Sequence, residues 1–415
     1  MDAPELQPPP PAFKRRWYQY SLRSLMIFVM VCGVLLGWAG SFFKRLHEQR
    51  EAVSRIQGVH GVIDYDYQYH DNRYYRHAPP PGPKLLRMVL GDDAFARIER
   101  VSFNPFKNYT PPKDEDLEAL EGLYGLHHLI FLIGDNNISD EGLRHLAGLT
   151  NLRTLVLTGH KISDKGLEHL VNLTNLENLG LDFTQVTTEG IARLPAGAHL
   201  RQLWLYGPSV KNSTLTRLDA LTSLDTFYLE HSGVTDAGLA PLARLSGLQV
   251  LSISDCPAIT DAGLEYVRNL NCLKELILDR ALVTDDGIQE LRGLRKLTWL
   301  SLDTTMIGDA GVACLANLSS LRYLNLNGTP VSDAALSNLA QLPRLRYLTL
   351  SHTQITEEGA SALRRLTGLK RLTIGPEITR AAAVQLGKAL PKCTIEYIDA
   401  NGDAEDLPLE NDIKP

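Results

Sequence analysis

Hydrophobic positions along the chain recur with a fixed period. A leucine opens a segment of the form L-x-x-L-x-L every 24 residues, apart from one interval of 25 residues and a first interval of 26. A period of roughly 20 to 29 residues with this heading is typical of solenoids in which every repeat adds one strand. The eleven aligned copies begin at Leu126, Leu152, Leu176, Leu200, Leu224, Leu248, Leu273, Leu297, Leu321, Leu345 and Leu369. Their regular register predicts one continuous repeat domain.

Each repeat predicts one strand followed by one short helix. The second and third leucines of a copy alternate inward, as a strand with one buried face requires. An aliphatic residue, a hydroxyl and often an acid follow, as in Ile162, Ser163 and Asp164. The hydroxyl is placed to cap the helix, and the acid lies in its first turn, where the helix dipole favours negative charge. Gly166 follows two residues later, and we expect it to permit close packing between repeats.

These repeats resemble the leucine-rich-repeat superfamily, in the variant with T-x-V-T-D-x-G-L after the strand, here Val234, Thr235 and Asp236. The stretch from Ser254 to Leu273, which contains Cys256, is most similar to the cysteine-containing subclass found in F-box substrate receptors. The resemblance implies an α/β fold, a right-handed solenoid with parallel strands on its concave face and short helices on its convex face. It also implies a recognition scaffold, although unrelated partners share this fold.

The repeat domain extends beyond the full copies at both ends. Ile98, Val101 and Phe103 show the strand pattern ahead of the first copy, and residues 390–398 supply a closing strand. The solenoid is therefore predicted to span residues 98–398.

The flanking segments are predicted to differ in character. Residues 44–97 are expected to form a juxtamembrane helix and a capping segment that covers the first strand edge. Within them, residues 65–75 are dense in Tyr, Asp and His but lack a recognised metal-ligand spacing, which favours an edge and loop. Residues 1–23 form a proline-rich basic tail and residues 399–415 an acidic tail, and both are predicted to be disordered.

Residues 24–43 contain no charge over 20 positions and predict a single transmembrane helix. At about 1.5 Å per residue they span roughly 30 Å, the thickness of a bilayer's hydrocarbon core. Basic and aromatic residues flank the run, which suits a membrane interface. A cleaved signal peptide, with Gly37, Trp38 and Ala39 as its processing site, is the alternative. The apolar run continues through Phe43, which favours the anchor.

Orientation in the membrane stays open, because four Lys or Arg residues lie within about 15 residues of either side. The motifs Y-D-Y, P-G-P-K-L-L and G-D-D-x-F ahead of the repeats resemble a group of bacterial membrane-anchored leucine-rich-repeat proteins. That resemblance implies a bacterial envelope protein, and the exported side is favoured for the solenoid. Gly33 and Gly37, extended by Ser41, form a G-x-x-x-G ridge that predicts a weak homodimer. The alternative is that glycine is simply frequent in membrane helices.

Charge and motifs exclude several classes of function. The net charge is −6, and residues 1–45 carry +4, so the rest of the chain carries −10. Nucleic acid is therefore a poor partner for the folded part, since phosphate binding needs clustered positive charge. The sequence contains no G-x-G-x-x-G after a strand, no Walker A loop, no H-E-x-x-H and no G-x-S-x-G. We predict a non-enzymatic protein without a cofactor or metal site.

The strand positions that point away from the core carry large aromatic residues and carboxylates. We expect them to bind a protein or peptide, with the aromatic residues as anchors and the acids attracting basic side chains. The alternative is that Tyr and Trp are simply good strand formers. The candidate partner-binding residues are Asp182, Trp204, Tyr206, Tyr228, Glu230, Asp279, Trp299, Asp303 and Tyr323.

The sequence therefore favours a membrane-anchored leucine-rich-repeat scaffold that binds its partner on the concave face. Two alternatives remain: an F-box-like substrate receptor for ubiquitin ligation, and an internalin-like surface adhesin. The competing binding surfaces are the helical side and residues 65–75.

Overall fold

The computed structural model shows a chain of two compact units, Met1–Arg50 and Glu51–Pro415. The residues it describes are 22–70, 73–74, 78–103, 111–132, 137–195 and 199–407. Most of the predicted proline-rich tail, residues 1–21, lies outside the described residues. The same holds for 408–415.

Helix α1 runs over Leu22–Gly58 without a break. It covers both the predicted membrane helix and the predicted juxtamembrane helix, because residues 22–58 contain no proline to interrupt the hydrogen-bond ladder. Among the described helices, only α1 is long and apolar enough to cross a membrane, by length and composition. A signal sequence would share these properties.

The second unit is organised around one long open sheet of 15 strands, in which almost every strand lies next to its neighbour in sequence. The strands of this sheet, together with the separate pair β2 and β3, are β1 (Gly61–Tyr65), β2 (Tyr69–His70), β3 (Arg73–Tyr74), β4 (Ile98–Phe103), β5 (His128–Phe131), β6 (Thr154–Thr158), β7 (Asn178–Asp182), β8 (Gln202–Tyr206), β9 (Thr226–Glu230), β10 (Val250–Ser254), β11 (Glu275–Ile277), β12 (Trp299–Ser301), β13 (Tyr323–Asn325), β14 (Tyr347–Leu350), β15 (Arg371–Ile374), β16 (Thr394–Ile398) and β17 (Ala404–Asp406). Strands β4 to β16 are parallel, β1 and β17 are antiparallel at the two edges, and β2 pairs with β3 alone. This arrangement confirms the predicted parallel-strand solenoid.

Short helices return the chain from one strand to the next. They are α2 (Lys84–Leu90), α3 (Asp164–Leu167), α4 (Thr188–Arg193), α5 (Asp261–Leu264), α6 (Asp285–Ile288), α7 (Asp309–Leu315), α8 (Leu336–Leu339), α9 (Glu357–Leu363) and α10 (Arg380–Ala389). The described 3-10 turns either adjoin one of these helices or take its place, and they lie at Asp66–Gln68, Asp92–Phe95, Asp114–Leu120, Gly142–Leu146, Glu168–Leu170, Asn212–Leu215, Leu218–Ala220, Asp236–Arg244, Gln289–Gly293 and Asp333–Ala335. A 24-residue period leaves few residues for this side, so 3-10 turns replace the predicted helix in several repeats. The leucines between sheet and helices are fully buried and form one continuous core.

An aspartate in most return segments holds the next repeat. The Asp140 carboxylate accepts the backbone N–H of Ser163 at 2.6 Å and its hydroxyl at 2.7 Å. The Ser163 Oγ in turn accepts from the backbone N–H of Lys165, which confirms its predicted capping role. The acid lies in the first turn as predicted, yet its oxygens bind the neighbouring repeat. The same two hydrogen bonds recur in the pairs Asp114–Ser139, Asp164–Thr187, Asp236–Thr260, Asp261–Thr284, Asp309–Ser332 and Asp333–Thr356.

We call this series the aspartate ladder, and glycine makes it possible. A Cβ added at Gly166 would lie 2.6 Å from Oδ1 of Asp140, inside van der Waals contact. The predicted role of this glycine in close packing is therefore confirmed. Glycine stands at the same position in other repeats, as Gly142, Gly190, Gly238, Gly263, Gly287, Gly311 and Gly359.

Both ends of the sheet are covered by antiparallel strands. At the first edge β1 pairs with β4, and Ile56 at the end of α1 is only 1% exposed. At the last edge β17 pairs with β16, and ion pairs join Arg371 to Asp406 and Arg380 to Glu405. The prediction that the acidic tail is disordered from residue 399 is therefore wrong for residues 399–407. An uncovered β16 would leave a row of unpaired backbone groups, and these residues supply the partner.

Candidate functional site

The predicted concave face of the sheet, which we call the open face, carries the outward side chains of the parallel strands. Three outward positions lie side by side in register. Gly180 of β7 is opposite Trp204 of β8, and Trp204 is opposite Tyr228 of β9. Two residues further along the same strands, Asp182, Tyr206 and Glu230 form the next row. These side chains are half-buried, as expected for large residues that share one sheet surface.

A cavity of about 440 Å³ opens on this surface and is lined almost entirely by apolar atoms. Five predicted partner-binding residues line it together: Asp182, Trp204, Tyr206, Tyr228 and Glu230. Sequence reasoning did not identify its opposite wall of Ile130, Leu132 and Val156, nor the glycine that forms its floor. Aligning the repeats at the 24-residue period indicates this glycine, because Gly180 stands at an outward position between Val156 and Trp204 of the neighbouring repeats.

The aromatic rings around the cavity are held by their neighbours. The rings of Trp204 and Tyr228 are nearly parallel, with centroids 6.0 Å apart. Tyr206 lies between Phe183, edge-on at 5.1 Å, and His231, stacked at 5.7 Å. Such contacts limit ring rotation, so these residues present a preformed surface.

Phe183 and His231 occupy an unusual backbone position. Both follow a strand directly and adopt a left-handed conformation, with φ of 54° and 53°. Their N–H groups donate to the carbonyls of Tyr206 and Ser254 at 2.7 and 3.0 Å, and these bonds hold the strained backbone. Glycine fills the aligned position in other repeats, for example Gly207. The sequence analysis did not identify the two residues, although glycines at the aligned positions signal this conformation.

Two carboxylates lie at one end of the cavity. Burial, and to a lesser degree the nearby charge of Glu230, raises the pKa of Asp182 to about 6. Burial also raises the pKa of Glu230, with a hydrogen bond from Ser252 acting in the opposite direction. The Asp182 carboxylate accepts no hydrogen bond from a described residue, and its neighbouring charge is negative. The site therefore favours a positively charged group.

The remaining predicted residues form a second group outside the cavity. Trp299 and Tyr323 stack face to face with centroids 3.5 Å apart, and Trp299 is 39% exposed. Asp279 accepts the backbone N–H of Asp303, and Asp303 accepts the side-chain amide of Asn327 at 2.5 Å. These two acids are therefore tied to neighbouring repeats. Four strand spacings, about 19 Å, separate β8 from β12.

Other predicted features give less information. Within the described part of the chain, no three His, Cys, Asp or Glu side chains gather to hold a metal ion. Nothing lies within 4 Å of a Cβ built at Gly33 or Gly37, and the homodimer stays a prediction. Residues 71, 72 and 75 of the tyrosine-rich segment 65–75 lie outside the described residues, and within the described part Tyr65 and Tyr67 stack with centroids 5.7 Å apart.

Comparisons with known proteins agree with this architecture. The family described as "Leucine Rich repeat" matches residues 148–171, 247–267 and 342–363. No curated protein matches the sequence. Among solved structures, an internalin (InlF) from Listeria monocytogenes is 24% identical over 75% of this chain and 92% of its own, with a TM-score of 0.50. Internalin C2 from the same organism is 25% identical over 58% of this chain and 85% of its own, with a TM-score of 0.39.

The 24-residue period, the open parallel sheet and the three matched repeats lead to one assignment. The chain contains leucine-rich repeats and folds as a leucine-rich-repeat solenoid.

Proposed function

We propose that this protein is a membrane-anchored scaffold that binds a protein or peptide through its open face. The observation that carries the proposal is the cavity between Trp204, Tyr228 and the apolar wall on β5 and β6. Preformed aromatic surfaces with adjacent polar groups are typical of protein-binding hot spots. Binding rather than catalysis is the function that this fold usually serves, and the proposed activity requires no cofactor.

The anchor is residues 24–43 within α1. Side chains along this part of the helix are mostly exposed, including Met26, Phe28 and Leu36, as a lipid-facing helix requires. We place the solenoid on the exported side, following the resemblance to envelope proteins. Carbonate extraction and N-terminal sequencing of the native protein test this step, and a soluble product beginning at residue 40 contradicts it.

The partner is an extended segment that carries basic side chains. At the aligned positions of later repeats, the outward row that contains Asp182 and Glu230 includes Asp279 and Asp303, which lie side by side, so half-buried carboxylates recur along the open face. The aromatic residues provide most of the binding free energy, because burying a large ring contributes more than a screened charge. The acids steer association, which makes the rate sensitive to salt.

The test is capture of a partner by the full-length protein in detergent or nanodiscs, followed by titration of that partner. The variant Trp204→Ala with Tyr228→Ala is expected to lose binding. Tyr347→Ala is the matched control, since it removes a 41% exposed tyrosine from the same face outside the cavity. A deletion of residues 65–75 is measured in parallel. Full affinity in the double variant with loss in the deletion contradicts the proposal.

A surface adhesin of the internalin kind is the second candidate function. The structural likeness to an internalin favours it, together with the proposed export of the solenoid. Digestion of intact cells with an external protease tests it, because only an exported solenoid is cleaved. The F-box-like alternative requires a helical adaptor before the repeats, where the described residues form α1, α2 and the capping strand β1.

A further inference from the structure

One of the outward residues that line the cavity on the open face is a glycine. Gly180 lies on β7 between Val156 of β6 and Trp204 of β8, in register with both. A Cβ built at Gly180 would lie 3.0 Å from a methyl group of Val156, closer than ordinary van der Waals contact. A side chain at this position would therefore have to displace Val156 and would narrow the cavity that both residues line.

The two long walls of the cavity are chemically different. Ile130, Leu132 and Val156 provide an aliphatic wall, and the nearly parallel rings of Trp204 and Tyr228 provide an aromatic one. A flat group with an apolar stem fits between such walls, because the stem packs on the aliphatic side and a planar cation can lie over a ring.

One end of the cavity is negative. Asp182 lies two residues beyond the glycine floor on the same face, and Glu230 lies two strands away, at about 10 Å. A half-buried carboxylate without a hydrogen-bond donor or cation is costly. A ligand that brings a positive charge removes that cost.

We infer that this cavity binds one arginine side chain of the partner, an inference that rests on the proposed function of the open face. Arginine fits better than lysine because its guanidinium is planar, stacks on aromatic rings and is more weakly hydrated than an ammonium. It fits better than an uncharged aromatic side chain because that would leave the carboxylate unpaired. The remaining length of the partner crosses neighbouring strands.

The protonation of Asp182 makes binding depend on pH. Its pKa of about 6 reflects burial and the charge of Glu230, on which Asp255 and Asp279 act in turn. Above about pH 7 the carboxylate is charged and attracts the guanidinium, and below about pH 5 it is protonated and does not. Arginine recognition is therefore strong at neutral pH and weak in acid.

The experiment uses a displayed library of random peptides of about twelve residues, long enough to cross the open face when extended. Peptides are selected on the full-length protein in nanodiscs and counter-selected on the variant Trp204→Ala with Tyr228→Ala. If no selected peptide depends on these two residues, the proposed function fails, and the inference fails with it.

For each dependent peptide, arginine is replaced by citrulline, which has the same shape without the charge. At neutral pH the exchange is expected to weaken binding by about tenfold or more, and at about pH 5 by about threefold or less. In the variant Gly180→Val, replacing arginine by citrulline should weaken binding by less than about twofold, because the valine side chain fills part of the cavity. Valine is a good strand former, but its Cβ requires a small shift of Val156, so thermal unfolding first verifies that the variant is folded. Val250→Leu controls for added bulk outside the cavity.

The opposite results separate the two proposals. Dependent peptides that lack arginine, or an equal cost of citrulline in the wild type and Gly180→Val, overturn the arginine site. In that case the open face still binds a peptide, and the proposed function stands.

Discussion

The aspartate ladder and the open face use the same residue types in opposite ways. Asp261 of the ladder accepts two hydrogen bonds from Thr284, at 2.7 Å from the backbone N–H and 2.6 Å from the hydroxyl. Asp182 of the open face accepts none from a described residue, and its pKa is raised to about 6 by burial. A fully satisfied carboxylate stabilises the fold, whereas an unsatisfied one is poised for a ligand.

The two regions also differ in how they repeat. The ladder places the same acid, hydroxyl and glycine at nearly every step, with small departures such as Asn212, which still bonds Thr235 through both side-chain atoms. The open face changes from strand to strand, from Gly180 to Trp204 to Tyr228. Uniform chemistry suits contacts between neighbouring repeats, while varied chemistry suits a particular partner.

The largest expected effect is on binding. Replacing Trp204 and Tyr228 together with alanine should cost about 2–4 kcal/mol of binding free energy, because these rings form one wall of the cavity. Isothermal titration with the captured partner measures it. Tyr347→Ala should bind like the wild type, and a similar loss in that control would mean that the effect is not specific to the cavity.

A ladder variant should act on stability instead. Asp261→Ala removes two hydrogen bonds to Thr284 and should lower the free energy of unfolding by about 1.5–3 kcal/mol. Asp261→Asn should cost less, since Asn212 performs the same task in another repeat. Denaturant unfolding of the full-length protein compares them. Equal losses in the two variants would show that the hydrogen bonds do not decide this position.

A smaller effect of the opposite sign is expected at Asp182. Its folded pKa is raised above the unfolded value, so between about pH 4 and 6 the folded state binds more protons and stability falls as pH rises. Asp182→Asn should therefore stabilise the protein by about 1–2 kcal/mol at pH 7 and by little at pH 4. Thermal unfolding at both pH values checks it. Destabilisation at pH 7 would mean that Asp182 has a stabilising partner.

The smallest effect concerns the acids outside the cavity. The double variant Asp279→Asn with Asp303→Asn should raise the activation free energy of association by less than about 1 kcal/mol. This increase should become smaller at high salt. Stopped-flow association rates at two salt concentrations measure this. An effect confined to dissociation would show that these acids contact the partner directly.

Much of the fold could be predicted from the sequence, because the leucine period determines which residues are buried. The capping role of Ser163 and the packing role of Gly166 followed from local rules. The bond between Asp140 and the next repeat did not, since it joins residues 23 positions apart. The strand β17 was missed because an acidic segment reads as disordered until two arginines of the solenoid neutralise it.

The candidate site was predicted only in part. Alternation along the strands identified Trp204, Tyr206 and Tyr228 as outward residues, and the structure places them around one cavity. The same reasoning grouped Trp299 with them, although it lies on a distant strand and stacks on Tyr323. A pattern of outward positions identifies the face but not a cavity on it, because a cavity depends on how the side chains of neighbouring strands pack, here Val156 against Gly180.

Site-specific photo-crosslinking in the native membrane shows which surface of the protein contacts the partner. Benzoylphenylalanine is placed in turn at Tyr228 on the open face, at Val171 on the helical side and at Tyr67 in the tyrosine-rich segment. We expect a covalent adduct with the partner from position 228, and none from positions 171 and 67. An adduct from position 171 or 67, with none from 228, would contradict the assignment of recognition to the open face.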